Sequence, residues 1–115
     1  SDEIGAQRQI DLTAAAVAAT PAYGIITTPS NTRTEQVRAG MLYSRFDLTA
    51  RSQGLVMQPL SQVIQEYTEM AQQYAAVHAA YARDGETIQM IVRLGTATVE
   101  YPTSMRRAVE DFILQ

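Results

Sequence analysis

Cysteine is absent from the 115-residue sequence, and so are lysine and tryptophan. Without cysteine the chain has no disulfide, no thiolate nucleophile and no cysteine-ligated metal. No apolar run approaches the ~18 residues that a membrane-spanning helix needs. We therefore predict no membrane partner and no metal site, and we expect a cytoplasmic protein, although a targeting segment could have preceded Ser1.

All nine basic residues are arginines, and twelve acidic residues bring the net charge to −3. The arginines are scattered along the chain, whereas nucleic-acid binding needs clustered positive charge. We therefore predict no nucleic-acid partner. Arginine without lysine reflects either the coding bias of an arginine- and alanine-rich genome or a requirement for bidentate anion contacts.

The motifs of phosphate-binding loops and hydrolases are also missing: there is no G-x-G-x-x-G, no Walker pattern and no G-x-S-x-G elbow. His78 is the only histidine, and its lack of carboxylate partners favours packing over catalysis or metal binding. Tyr67, Tyr74 and Tyr81 recur every seven residues, which is typical of an apolar helix seam; a stacking platform for a planar ligand is the alternative. We predict no catalytic residue.

Apolar residues make up 46% of the chain, enough for one small globular core. Residues 1–10 are predicted to be a flexible segment. An alanine-rich helix follows, with Asp11 as its N-cap and Pro21 after its end. The β-branched run over residues 23–28 predicts a buried strand.

The pattern over residues 33–53 predicts a long helix, with Thr32 and Glu35 as a capping box and Gly54 as a left-handed cap. Two faces of this helix are mainly apolar, one formed by Val37, Met41, Ser44 and Leu48 and the other by Ala39, Leu42, Phe46 and Ala50. Apolar residues on two faces indicate burial on more than one side, so we predict a central helix.

Downstream, Pro59 interrupts the apolar residues 55–62 and excludes an inner strand throughout that segment. Residues 63–83 predict a surface helix, and the alternation over residues 86–95 predicts a strand. Two secure strands do not form a stable sheet by themselves. The sequence therefore predicts part of an α+β domain whose other strands lie elsewhere.

Arg106 and Arg107 follow a proline and a predicted capping turn near the end of the chain. Their guanidinium groups match phosphate oxygens bidentately, and the turn could add backbone donors. Adjacent arginines are also common on protein surfaces, so an ordinary exposed pair is the alternative.

The order of three segments adds a family resemblance. The long helix leads into P-L-S-Q at residues 59–62, R-L-G at residues 93–95 ends the last strand, and S-M-R-R at residues 104–107 precedes an acidic and apolar tail. Over roughly residues 14–114, the chain resembles the C-terminal half of the nitroreductase family, in the branch whose single chains contain two fused halves. The resemblance implies that residues 11–115 form part of a nitroreductase-like α+β fold with a long central helix and a small sheet.

Members of this family are FMN-dependent NAD(P)H oxidoreductases. The resemblance therefore implies hydride transfer through flavin N5 to a nitro or quinone-like acceptor. It places the P-L-S-Q segment over one flavin face, with a backbone N–H donating to N5, and assigns one of the two adjacent arginines to the FMN phosphate. The residues that it assigns to FMN binding are Pro59, Leu60, Ser61, Gln62, Arg106 and Arg107.

The sequence departs from the family near its start. The arginine- and serine-rich motif that contacts the flavin has no match in residues 1–10, where Arg8 stands alone. FMN affinity of the isolated chain is therefore expected to be poor, and the chain alone is expected to be inactive.

The expected partners are NAD(P)H, a small-molecule electron acceptor, and either a missing N-terminal half or a homodimer partner. Two other functions stay open. One is a non-catalytic flavin-binding or dimerisation scaffold, which would arise if the flavin site has decayed. The other is a ligand-free α+β interaction domain that assembles through its central helix.

Overall fold

The computed structural model describes residues 2–113, so residues 1, 114 and 115 of the predicted segments lie outside it. Within this range the chain is an α+β fold, as predicted, with three α-helices and a three-stranded antiparallel sheet. The elements are α1 (Asp2–Ala18), β1 (Ala22–Thr28), α2 (Arg33–Ser52), β2 (Val56–Pro59), α3 (Ala71–Tyr81) and β3 (Thr87–Gly95). Short 3-10 helices occupy Gln62–Ile64, Thr68–Met70 and Val109–Phe112.

The sheet has the order β1-β3-β2, so the strand with the clearest alternation lies at its centre. β3 pairs antiparallel with both neighbours, and a register shift between Ile26 and Thr27 marks a bulge in its pairing with β1. β2 has four residues and ends at Pro59 on the sheet edge. The prediction that proline excludes an inner strand there is confirmed, because a residue without an N–H is tolerated at an edge.

Helix α2 packs on one face of this sheet, and Gly24 of β1 marks the contact. A Cβ built on Gly24 would lie 2.7 Å from Cε1 of Phe46 and 3.0 Å from Cγ2 of Val92. Gly24 and Val92 are also register partners, so both point towards α2. Their chain neighbours Tyr23 and Arg93 therefore lie on the opposite face.

The ends of α2 follow the local signals, with one difference at its N-terminus. Thr32 Oγ1 accepts a hydrogen bond from the Glu35 N–H at 3.4 Å, which confirms the N-cap. The Glu35 carboxylate, however, forms an ion pair with Arg38 at 2.7 Å, and no hydrogen bond from the Thr32 N–H to it is present. At the other end Gly54 has φ +74°, the left-handed conformation predicted for the cap.

Burial on two sides of α2 is not achieved within the described chain. Ala39 and Ala50 are buried against the sheet. The larger apolar residues on the remaining surface are 52–70% exposed, namely Val37, Met41, Leu42 and Leu48. α2 therefore has one covered face and one apolar face in contact with solvent.

Two predicted helix boundaries are wrong. α1 begins at Asp2, not near Asp11, and Asp2 and Glu3 favour the earlier start because carboxylates stabilise the positive end of a helix. Asp11 is no N-cap, and its side chain accepts a hydrogen bond from Gln7 within the helix. All residues of α1 except Ala16 are exposed, so the helix lies at the surface.

The predicted helix over residues 63–83 is shorter, since α3 spans only Ala71–Tyr81. Before it, the chain forms two 3-10 helices with extended residues at Gln65 and Tyr67. A hydrogen bond of 2.7 Å from Asn31 Nδ2 to Glu66 Oε1 holds this segment towards the loop before α2. That tertiary contact favours an extended path that helix periodicity does not reveal.

The described part of the chain is open for its size. The accessible surface is 9488 Å², whereas a compact monomer of 12.7 kDa exposes about 6,200 Å². The radius of gyration is 17.3 Å, against about 13 Å for a compact chain of this length. None of the helices described is both long enough and apolar enough to cross a membrane.

Candidate functional site

The predicted flavin wall begins where β2 leaves the sheet. Pro59, the last residue of β2, pairs with Val92 and has no N–H to donate. The Leu60 N–H is already used, since it donates to the Ile91 carbonyl at 2.8 Å. Pro59 and Leu60 therefore anchor the segment to the sheet and leave no backbone donor for a ligand.

The next two residues have the remaining backbone donors. Ser61 is the N-terminal cap residue of the 3-10 helix Gln62–Ile64, with φ −92° and ψ −14°. The carbonyls of Ser61 and Gln62 accept from Ile64 and Gln65 within this helix. Their own N–H groups make no hydrogen bond within residues 2–113, and both residues are exposed. The start of the 3-10 helix thus presents two adjacent N–H donors to solvent.

The two predicted phosphate ligands lie in the exposed segment after β3. The Arg106 guanidinium donates to Ser104 Oγ at 2.6 Å. The guanidinium carbon of Arg107 lies 4.3 Å from the centre of the Phe112 ring, a cation–π distance. Both arginines are exposed, and residues 101–108 form neither helix nor strand.

The structure does not bring the two groups of predicted site residues together. Across residues 2–113, neither a hydrogen bond nor an ion pair joins the segment 59–62 to Arg106 or Arg107. Within residues 2–113 the backbone donors and the arginines are therefore separate features and do not form one site.

His78 has a structural role that uses both ring nitrogens. Nε2 accepts the Ile88 N–H at 2.9 Å, so Nδ1 carries the proton and donates to the Tyr74 carbonyl at 2.9 Å. The Tyr74 and His78 rings are stacked, with centroids 4.0 Å apart. The hydrogen bond to Ile88 joins α3 to the start of β3. These contacts support the interpretation of His78 as a packing residue.

Two of the three regularly spaced tyrosines, Tyr67 and Tyr74, line one cavity, and Tyr81 is not part of its lining. Tyr67 precedes α3, while Tyr81 is its last residue and is 65% exposed. Tyr74 is partly buried, and that burial raises the pKa of its phenol, with a further contribution from the nearby Glu66 carboxylate. The structure therefore gives no support to a continuous stacking platform.

Sequence reasoning missed a cleft on the sheet face opposite α2. It lies between α1 and the sheet edge and contains Gln58, Leu60 and Arg93. Gln58 and Arg93 are register partners on β2 and β3. The available signal was Arg93 itself, a charged residue in the otherwise apolar run I-V-R-L-G at the end of the central strand.

Within residues 2–113, no cluster of three or more histidine, aspartate or glutamate side chains is placed to hold a metal ion. Comparison with known proteins gave no family-model match, and no curated protein or solved structure is significantly similar to the chain. The resemblance in the three ordered segments therefore stands without support from a relative.

Proposed function

We propose that the chain is the C-terminal half of an FMN-dependent NAD(P)H oxidoreductase with a nitroreductase-like fold. The observation that carries the proposal is the pair of unbonded N–H groups at Ser61 and Gln62, in the segment whose sequence resembles the family's flavin wall. FMN, when bound, would supply the hydride-accepting ring, and the acceptor would be a nitro or quinone-like compound.

The role of residues 59–62 follows from their hydrogen bonds. The Leu60 N–H holds the segment against the Ile91 carbonyl, so the orientation of the following peptide groups is fixed by the sheet. Ser61 or Gln62, and not Pro59 or Leu60, would then donate the backbone hydrogen bond to flavin N5. A fixed donor at the atom that accepts hydride favours the reduced ring, because it needs no reorganisation during the transfer.

Arg106 and Arg107 would bind the FMN phosphate after the segment that contains them has changed its contacts. Their present partners, Ser104 and Phe112, are neighbours within a few residues. Exposed local contacts of this kind are weak, and a dianionic phosphate offers stronger, charge-assisted hydrogen bonds. The open shape of the chain supports the same conclusion, since a second half could bring the two parts of the site together.

The test of this function uses the complete protein that contains this half. We expect it to purify yellow and to retain FMN on gel filtration. The double variant Arg106→Ala/Arg107→Ala should lower FMN affinity by at least about tenfold, the loss expected for charge-assisted hydrogen bonds. Riboflavin lacks the phosphate, so its affinity should change little.

The contribution of the backbone donor is tested separately. Ser61→Pro removes the N–H, whereas Ser61→Ala keeps it and removes only the hydroxyl. Of these two variants, we expect only Ser61→Pro to make the flavin harder to reduce. A spectroscopic redox titration should then give a lower midpoint potential for Ser61→Pro. A colourless complete protein without measurable FMN affinity would overturn the flavoprotein proposal. Equal potentials in the two Ser61 variants would overturn only the role of this donor.

The exposed apolar face of α2 favours a second candidate function, a non-catalytic dimerisation or flavin-binding scaffold. Val37, Met41 and Leu48 on this face are more than half exposed, which is unusual for a helix that crosses a sheet. Nicotinamide-dependent reduction of a quinone or nitro compound separates the two functions. A scaffold would associate, with or without FMN, and show no turnover.

A further inference from the structure

The cleft on the face opposite α2 has two unlike walls. Its volume is about 200 Å³, which is below the roughly 300 Å³ of typical drug-sized pockets. Helix α1 forms one wall, and the sheet side forms the other. The wall of α1 contains Gln9, Leu12 and Thr13, and the sheet side contains Gln58, Leu60 and Arg93. The cleft is large enough for a compact ligand and too small for a flavin.

Among residues 2–113, Arg93 is the only charged residue that lines this cleft. Its Nε is buried and makes no hydrogen bond. The ion pair in residues 2–113 is between Glu35 and Arg38, so Arg93 has no carboxylate partner there. A buried N–H without an acceptor is costly, and an anion in the cleft that accepts a hydrogen bond from Arg93 Nε would relieve that cost.

The other cleft residues indicate which anion fits. Gln9, Thr13 and Gln58 are neutral and can supply or accept further hydrogen bonds, while Leu12 and Leu60 offer an apolar surface. One guanidinium balances one negative charge and matches a carboxylate with two parallel hydrogen bonds. A phosphate dianion would leave a negative charge uncompensated in a cleft with no second cation.

We propose that this cleft binds a small monocarboxylate with an apolar body, whose carboxylate pairs with Arg93 and whose body lies between α1 and the sheet. Leu60 is the one lining residue that also belongs to the segment assigned to the flavin, and the anion would pair with Arg93, which the flavin proposal does not use. The proposal also involves α1, which has no buried residue; the hydrogen bond from the Tyr23 hydroxyl to the Val17 carbonyl joins its C-terminal end to the sheet. A ligand in contact with both walls would add a second attachment.

The experiment uses benzoate as the probe and the 115-residue chain without flavin. We expect saturable binding in a calorimetric or NMR titration at low ionic strength. Bound benzoate should also slow hydrogen exchange of the α1 amides, since ordering α1 against the sheet protects its backbone. Arg93→Gln should weaken binding by at least about tenfold, because a charge-assisted pair is lost.

Two further variants keep the test decisive if Arg93→Gln affects folding. Leu12→Trp keeps Arg93 but fills the cleft, so it should abolish benzoate binding. Arg45→Gln removes an exposed arginine from α2 and should bind like the original chain. Inorganic phosphate should bind more weakly than benzoate. Absence of benzoate binding to the folded chain, equal binding of phosphate, or unchanged binding in Leu12→Trp would each overturn the proposal.

Discussion

At the scale of single residues, Tyr74 is the clearest case of a titration altered by the fold. Burial, and then the Glu66 carboxylate, raise the pKa of the Tyr74 phenol above its ordinary value of 10.0. The folded state therefore holds the phenolic proton more tightly than the unfolded state does. The corresponding stability is fully present below pH 10 and is lost as the pH rises through the raised pKa.

We predict that this loss depends on Tyr74. Urea unfolding measured between about pH 8 and 11 should give a falling free energy of unfolding above pH 10 in the original chain. Tyr74→Phe should show a smaller decline. Tyr81→Phe removes an exposed tyrosine from the same helix and is the matched control, which should keep the original profile. Identical profiles for all three proteins would contradict the assignment.

His78 illustrates how one polar residue can be satisfied inside a small fold. Its ring accepts from the Ile88 N–H and donates to the Tyr74 carbonyl, both at 2.9 Å. A histidine with both nitrogens engaged by the backbone has no lone pair left for a metal and no proton poised for a substrate. The structural interpretation of this residue thus follows from hydrogen bonding, not from the rarity of histidine.

At the scale of elements, the position of α2 depends on the missing side chain at Gly24. Phe46 and Val92 occupy the space that a Cβ would need. We predict that Gly24→Ala destabilises the chain by about 1–2 kcal/mol, because overpacking outweighs the smaller entropy of the unfolded alanine chain. Gly40→Ala is the control, since it lies within α2 with nothing within 4 Å of a built Cβ. It should stabilise the chain by about 0.5–1 kcal/mol.

The two glycine variants are compared by thermal and urea unfolding. Phe46→Leu in the Gly24→Ala background should recover part of the lost stability, because the smaller side chain leaves room for the new methyl group. If Gly24→Ala were neutral, the close approach of α2 to β1 would not be the contact that sets the helix position.

The local signals at the two ends of α2 act before any tertiary contact is made. Thr32 and Gly54 both have the geometry that their residue types predict. Capping depends on residues within one turn, so the sequence determines it directly. The Glu35 carboxylate has two possible partners nearby, the Thr32 N–H and an arginine side chain. In the structure it forms an ion pair with Arg38.

At the scale of the whole molecule, the described chain exposes more surface than a compact protein of its mass. The described chain exposes 9488 Å², about 3,300 Å² more than a compact protein of its mass. Standard protein interfaces bury about 1,200–2,000 Å² in total. The excess is therefore large enough for a stable association, whether with a second copy or with a complementary half.

We predict that the isolated chain self-associates through the exposed face of α2. Sedimentation equilibrium over a range of concentrations should show a mass that rises above 12.7 kDa. Met41→Glu should shift the chain towards monomer by placing a charge in the apolar face. Ile4→Glu, at an even more exposed apolar residue on α1, is the control and should leave the mass unchanged. A strict monomer at all concentrations would contradict this role for α2.

The properties of the segment 59–62 depend partly on its sequence and partly on a tertiary hydrogen bond. Its sequence indicated a wall for a flavin, and Pro59 indicated an edge position, which the sheet order confirms. The bond from the Leu60 N–H to the Ile91 carbonyl joins residues far apart in the chain, and nothing local predicts it. Only the tertiary contact therefore identifies Ser61 and Gln62 as the donors that remain.

The sequence by itself determined the strand over residues 23–28, the central strand, the ends of α2 and the α+β class, because side-chain alternation and capping act over a few residues. Only the tertiary structure decided where α3 begins, how Arg93 is enclosed, and that Arg106 and Arg107 stay apart from segment 59–62. These outcomes depend on contacts between distant segments, such as Asn31 with Glu66. Periodicity describes one element at a time and contains no information about which elements meet.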